Sequence, residues 1–451
     1  MESKILDSKS FYKMAFALVM PMALQNLINV GINSIDVLML GKVGETVLSG
    51  ASLASQVQFI MNLIFFGLTS GAAVLTAQYW GKGDTKSIEK ILGICMRFSI
   101  LVAIFFTAVA LLFPSQTMRI FTSEEPVIAE GVKYLRIIAF SYLLTSITMI
   151  YLNVMRSMEK VVVSTVIYLI SLIINLIVAS ILIFGLFGIP QMGIQGAAIA
   201  TLTSRCVELI CVIVYAKKFN KTVHFNPTKL FIKDKLLFKD FMIYSIPVTI
   251  NELMWGAGVA MNSVVIGHLG SSVVSANSVA QITRQLATVI AFGIANATAI
   301  TIGKTIGENN IEAAKVYAKR FIKLSIAAGS FGALVILAIR PMLMSVLSIS
   351  DITRGNLSVM MFVMSYFVIA QAFNTVLIVG VFRGGGDTKF GLVLDVTTMW
   401  GGSILFGALA AFVFKWSVPA VYIILMSDEI IKIPLSFMRY KQKKWLNNVT
   451  R

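Results

Sequence analysis

Two histidines and three cysteines in 451 residues leave little material for a metal centre or a disulfide framework. His224 and His268 stand far apart with no cysteine or acid cluster beside them, while Cys95, Cys206 and Cys211 lie inside apolar runs and are expected to be small core residues. A Gly-rich phosphate loop and a nucleophile triad are both missing, so enzyme classes built on them are excluded and no catalytic residue is expected. Charge is scarce as well, at 13% of residues. The opening MESKILDSKSFYKM is polar and the first apolar run is too long for a signal h-region, so no secretory signal is expected.

What the chain has is apolar length. It is 57% hydrophobic with a mean hydropathy of +0.85, and runs of about 20 apolar residues recur, each enough to cross a bilayer as a helix. Twelve such spans fall between residues 14 and 438. The net charge of +17 is placed as a topology signal, and no nucleic-acid partner is expected. Lysine and arginine crowd one side: the N-terminus, Lys217–Lys239, the loops at Lys82–Lys90 and Lys304–Lys323, and RYKQKKW near the end. The other side keeps Lys42, Arg119, Lys133, Arg136, Arg340, Arg354 and Lys415. The positive-inside rule then puts both termini in the cytoplasm of a multi-pass cell (inner) membrane protein.

The chain also repeats itself. A shift of 226 residues lays Phe11–Lys90 on Leu237–Val316, placing Pro21 on Pro247, Gly41 on Gly267, Gly67 on Gly293 and Gly81 on Gly307. A shift of 227 aligns NVMRSMEK (153–160) with GVFRGGGD (380–387) and Arg156 with Arg383. The expected organisation is an N-lobe over 11–216, a basic linker over 217–236, a C-lobe over 237–440 and a cytoplasmic tail over 441–451. Six spans per half make the repeats parallel, and transport sites lie where such repeats meet or within their bundles.

Polar residues inside the spans mark the candidate site. Glu252 lies in YSIPVTINELMWGAGVAMNSVVIGHLG shortly after Pro247, and an acid at that depth costs at least ~2.5 kcal/mol on insertion scales. The alternative reading is a structural acid bonded to a neighbouring helix. Asp36 follows Asn29 and Asn33 on roughly one helix face, an arrangement suited to a cation or proton, unless it is an interfacial acid. Asn175 in the fifth span has the position to face it, and Thr201 and Thr203 are weaker candidates. Glu252, Arg284 and Asp395, on three spans, are expected to form a network with the arginine between two acids, a static packing triad being the alternative. Arg205 and Glu208, three apart, read as a structural pair, and Asp428, Glu429 and Lys432 as helix-surface pairing. Met254, Trp255 and Met261 suit a cavity that accepts varied apolar ligands.

Twelve spans in two halves, the Gly-rich segments GLTSGAAVLTAQYWGKGDTKSIEK and GIANATAITIGKTIGENNIEAAKV, and FRGGGDTKFG after the tenth span together resemble the MATE family of multidrug and toxic-compound extrusion transporters. The resemblance covers essentially the whole chain. It implies an all-α polytopic protein of two pseudo-symmetric six-helix lobes, monomeric and without a cofactor. It also implies export of amphipathic organic cations in exchange for Na⁺ or H⁺. Asp36, Asn175 and Glu252 sit where the family carries polar groups on helices one, five and seven. The family aspartate four residues after Asn175 is Ala179 here, and the tenth-helix acid falls near Ala372, where none stands. Asp395 offers a second carboxylate. Coupling is thus expected at Asp36, Asn175, Glu252 and Asp395, with Na⁺ at Glu252/Asp395 or Asp36/Asn175. Substrate is expected against Asn33, Thr201, Trp255, Met261 and Arg284. The Arg284 and Asp395 pattern looks closer to the DinF-like branch. A lipid-linked precursor flippase of the same superfamily is the other reading; an acid-rich interior disfavours it.

Overall fold

The structure, a computed structural model, describes residues 5–223, 234–346 and 349–450, and of residues 32–36 and 346 the backbone alone. The side chains of Asn33 and Asp36, and His224 with much of the basic linker, therefore lie outside the described residues.

The described chain is helical, without a strand among its residues. The first six spans are Ser8–Val43, Glu45–Lys82, Thr85–Leu112, Glu125–Ser157, Val161–Phe184 and Gly193–Val214. The next four are Lys235–Gly267, Ser271–Gly307, Ile311–Val346 and Asp351–Thr375, the last running on through Val376–Phe382 in wider i→i+5 turns. The eleventh begins at Thr388–Asp395 and alternates α and i→i+5 winding as far as Val413. The twelfth comes in two pieces, Val418–Leu425 and Asp428–Lys441. Ten of these are long and apolar enough to span a membrane by length and composition. The seventh is long enough but diluted by Asn251, Glu252, Gly and Asn262, and the twelfth is interrupted. Together they make the twelve-helix architecture.

The internal repeat reappears in the backbone. Gly83 (φ +79°) and Asn309 (φ +60°) turn the chain between the second and third and between the eighth and ninth helices. Each is followed by a capping side chain: Asp84 accepts from Ser87 N at 3.1 Å, and Asn310 from Ala313 N at 3.1 Å. Glycine and asparagine are the residues that tolerate this left-handed backbone, so one turn is built twice from different letters. Glu159 (φ 63°) and Gly386 (φ +84°) form the second matched pair.

Contacts divide the chain into two compact units, Met1–Asn26 with Ala77–Lys82 and Ile246–Arg451, and Leu27–Thr76 with Gly83–Ser245. The second of these has a core of Leu40, Met61, Phe65, Leu135, Tyr142 and Ile183. The first has one of Ile336, Met360, Met364, Val368, Tyr422 and Leu425. It also contains a close crossing of the second and eighth helices. A Cβ on Gly81 would lie 2.0 Å from the Lys304 carbonyl oxygen, and one on Gly307 1.9 Å from that of Gln78. Gly307 is the repeat partner of Gly81, and Lys304 that of Gln78, so the contact is reciprocal in the way of a two-fold interface.

The seventh helix is started by Asp234. Its carboxylate accepts from Leu237 N at 3.1 Å and from Lys90 Nζ at 3.0 Å, and its carbonyl takes the first helical bond from Phe238. Those bonds, the Leu237 N–H first and Lys90 next, hold the carboxyl below the usual carboxylate range. A depressed folded-state pKa stabilises above the unfolded value, about 3.9, and the gain is lost as pH falls through the folded pKa. Asp234→Ala is expected to lose roughly 1 kcal/mol at pH 7, and Asp234→Asn less because the cap survives. Thermal unfolding in detergent at pH 7 and pH 3 checks this: the wild-type advantage should shrink at the lower pH.

Candidate functional site

Pro247 lacks the N–H that would bond the carbonyl of Ile243, loosening the seventh helix one turn before its polar residues. Asn251 and Glu252 follow. As neighbours about 100° apart on the helix, they reach different partners. Glu252 Oε1 accepts from Arg383 Nη2 at 2.8 Å, and the two side chains are 13% and 6% exposed. Asn251 Nδ2 donates to Asp395 Oδ2 at 2.9 Å on the eleventh helix. One turn beyond Pro247 the seventh helix is thus tied to the end of the tenth and to the eleventh.

Asp395 is in turn one of three carboxylates around Lys432, a side chain only 3% exposed. Lys432 Nζ lies 2.9 Å from Asp395, 3.1 Å from Asp428 and 3.1 Å from Glu429. Asn374 on the tenth helix donates to Glu429 Oε2 at 2.8 Å and accepts from Ser436 at 3.0 Å. Four acids, Glu252, Asp395, Asp428 and Glu429, therefore face two directly paired cations, Arg383 and Lys432. Arg284 stands within electrostatic range of Glu429 and Asp428. Counting it leaves one carboxylate in excess among the described residues, a charge that a proton or monovalent cation would neutralise; left uncompensated it would cost several kcal/mol.

Two expectations need correction. Arg284 does not sit between Glu252 and Asp395. It donates to Gln281 at 2.7 Å and Gln371 at 3.1 Å and lies over the Phe367 ring, because the eighth helix turns it toward the tenth. Nor is the Lys432 cluster surface pairing. The break at Met426–Ser427 restarts the twelfth helix at Asp428, and its polar stripe faces inward. Trp255 is half-buried and Met261 exposed on the same helix as Glu252.

In the other unit Asn175 and Thr201 do meet, Nδ2 to Oγ1 at 3.3 Å. Arg205 and Glu208 pair at 2.6 Å, and Ser171 also donates to Glu208. Ala179, where the family aspartate is expected, is packed into the core at 1% exposure. The partners missed from sequence were Arg383 and Lys432. The signal for Arg383 was its match to Arg156 in the repeat; that for Lys432 was two acids one turn before it.

A profile of the MatE family matches residues 21–181 and again 247–409, two copies starting 226 residues apart on Pro21 and Pro247. The chain belongs to this family. It is a MATE membrane transporter and not an enzyme. It is 26% identical over 399 residues to a probable multidrug resistance protein NorM of Rhizobium meliloti, across 86% of this chain and 84% of the relative. With a NorM of Thermotoga maritima it shares 22% over 436 residues, across 95% and 92%. Among solved structures, a MOP-superfamily transporter from Pyrococcus furiosus has a TM-score of 0.87 at 17% identity over 96% of both chains. A MATE transporter of Vibrio cholerae has 0.87 at 16%, over 96% and 97%. At these identities the structures speak for the fold alone. Among the described residues no group of three or more His, Cys, Asp or Glu converges as a metal site.

Proposed function

We propose that this MATE protein is a secondary antiporter of the cell membrane, with both termini cytoplasmic. It exports amphipathic, cationic organic compounds in exchange for inward H⁺ or Na⁺ by alternating access of lobes 11–216 and 237–440. The observation that carries the reading is the Glu252–Arg383 pair, a buried acid just past the helix-loosening Pro247. A carboxylate held by a single internal cation in an apolar span is one that another cation, substrate or coupling ion, can take over. Competition for it makes binding of one release the other. The names of the NorM relatives support multidrug substrates. Asp36 and Asn175 remain the proposed coupling site of the other lobe, while Asn33, Thr201, Trp255 and Met261 would meet the substrate. The flippase reading calls for buried cations available to phosphate headgroups, whereas Arg383 and Lys432 are engaged by carboxylates and Arg284 by glutamines.

Efflux of a fluorescent organic cation from preloaded cells tests the assignment. Glu252→Gln is expected to lower the rate at least tenfold and Asp36→Asn to lower it as well; wild-type rates in both variants would sink the reading. Proteoliposomes given a Na⁺ or a pH gradient, one at a time, name the ion.

A further inference from the structure

Arg383 is followed directly by Gly384, Gly385 and Gly386, and the structure gives each glycine a reason. A Cβ on Gly384 would lie 2.7 Å from the Ala299 carbonyl oxygen, and one on Gly385 2.0 Å from that of Trp445. Gly386 has φ +84°. The C-terminal tail folds back over this loop. Trp445 is 1% exposed and stacks on Tyr440, and Asn447 N donates to Gly385 O at 3.0 Å. Gln78, near the end of the second helix, binds both pieces. Its Nε2 donates to Gly384 O at 3.2 Å and Asn447 O at 3.0 Å, and its Oε1 accepts from Val449 N at 2.8 Å. Asn448 reaches Ile306 O on the eighth helix at 3.4 Å. The loop, the tail and the Gly81/Gly307 crossing together form a seal at one end of this unit, the end that the charge pattern assigns to the cytoplasm.

The glycine loop hangs between two ion pairs. Beyond it Asp387 is held by Arg439 at 2.7 Å; before it Arg383 is held by Glu252 at 2.8 Å. We propose that Arg383 is a positioning residue that couples the charge on Glu252 to this seal. The groups facing Glu252 are Arg383 from the tenth helix and, within electrostatic range, Asp395 from the eleventh with its partners Lys432 and Asn251. When a cation neutralises Glu252, the guanidinium loses the carboxylate charge 2.8 Å from it, and the balance of forces that positions it changes. The i→i+5 stretch Val376–Phe382 immediately before it is the loosely wound turn that absorbs the shift. Gly384 and Gly385 move with Arg383, and their bonds to Gln78 and Asn447 break. Cation arrival at Glu252 thereby unlocks the end of the second helix. The purpose of this relay rests on the antiport reading; its existence does not.

Maleimide labelling of Thr305→Cys, a buried position of the eighth helix beside the seal, tests the relay. The background replaces Cys95, Cys206 and Cys211, and the protein is held in nanodiscs without substrate. Glu252→Gln and Arg383→Gln are each expected to raise the labelling rate roughly 5- to 150-fold, the range of allosteric couplings. The double variant should label no faster than either single one, Arg383→Lys should stay near wild type, and Gln78→Ala should label fast whatever stands at 252. If Arg383→Gln fails to fold, Glu252→Gln and Gln78→Ala carry the test. A wild-type labelling rate in Glu252→Gln beside a fast Gln78→Ala, or multiplying effects in the double variant, overturns the relay. Lost efflux in Glu252→Gln with unchanged labelling removes the relay and leaves the antiport reading; wild-type efflux with raised labelling does the reverse.

Discussion

Arg383→Ala is expected to destabilise the protein by about 3–5 kcal/mol, the cost of leaving one member of a buried ion pair without the other. Both side chains are nearly inaccessible and their charged atoms are 2.8 Å apart, so water does little to screen the orphaned Glu252 carboxylate. Glu252→Ala should also destabilise, because it takes the paired carboxylate away from a buried guanidinium. The double replacement Glu252→Leu with Arg383→Leu removes both charges and is expected to recover most of the stability, since apolar pairs of similar volume often replace buried ion pairs without loss. Melting of the detergent-solubilised protein measures all three. Recovery of the melt together with absent efflux would assign the pair to transport. A double variant as unstable as the single ones would make the pair a fold requirement instead.

The second large effect is expected at the crossing of the second and eighth helices. Gly81→Ala puts a methyl 2.0 Å from one backbone oxygen and Gly307→Ala puts one 1.9 Å from another, and backbone cannot swing aside as a side-chain tip does. Overpacking costs typically 1–3 kcal/mol and occasionally more; a clash with helix backbone belongs at the top of that range. The reciprocal geometry predicts losses of equal size. The double variant should lose less than the sum, because the first methyl already parts the helices. Gly41→Ala and Gly267→Ala are the matched control: the first meets only Leu48 at 3.7 Å and the second nothing within 4 Å. Yield of monodisperse protein and melting temperature should fall for 81 and 307 and hold for 41 and 267.

The glycines show how far the letters alone reach. The repeat marked Gly41/Gly267 and Gly81/Gly307 as equivalent pairs, yet nothing in the spacing separates the pair that faces lipid or solvent from the pair that faces a backbone. Arg205 with Glu208 was legible because the two residues stand three apart on one helix. Arg284 was misassigned because three charges on three helices have many pairings, and only packing selects among them. Lys432 was read as exposed because the break at Met426–Ser427, which reorients the last helix, carries no glycine or proline at the break itself.

By itself the sequence determined the twelve-helix class, the twofold internal repeat and the presence of costly acids in apolar spans. These follow from hydropathy, 226-residue periodicity and the price of burying charge, all of which act locally along the chain. Tertiary structure alone decided that Glu252 meets Arg383, 131 residues away, that Asp395 meets Lys432, and that the tail closes over Gln78. Such contacts depend on which helix faces turn toward each other. Close packing of side chains around glycine crossings and helix breaks sets those faces, and spacing along the chain does not encode it.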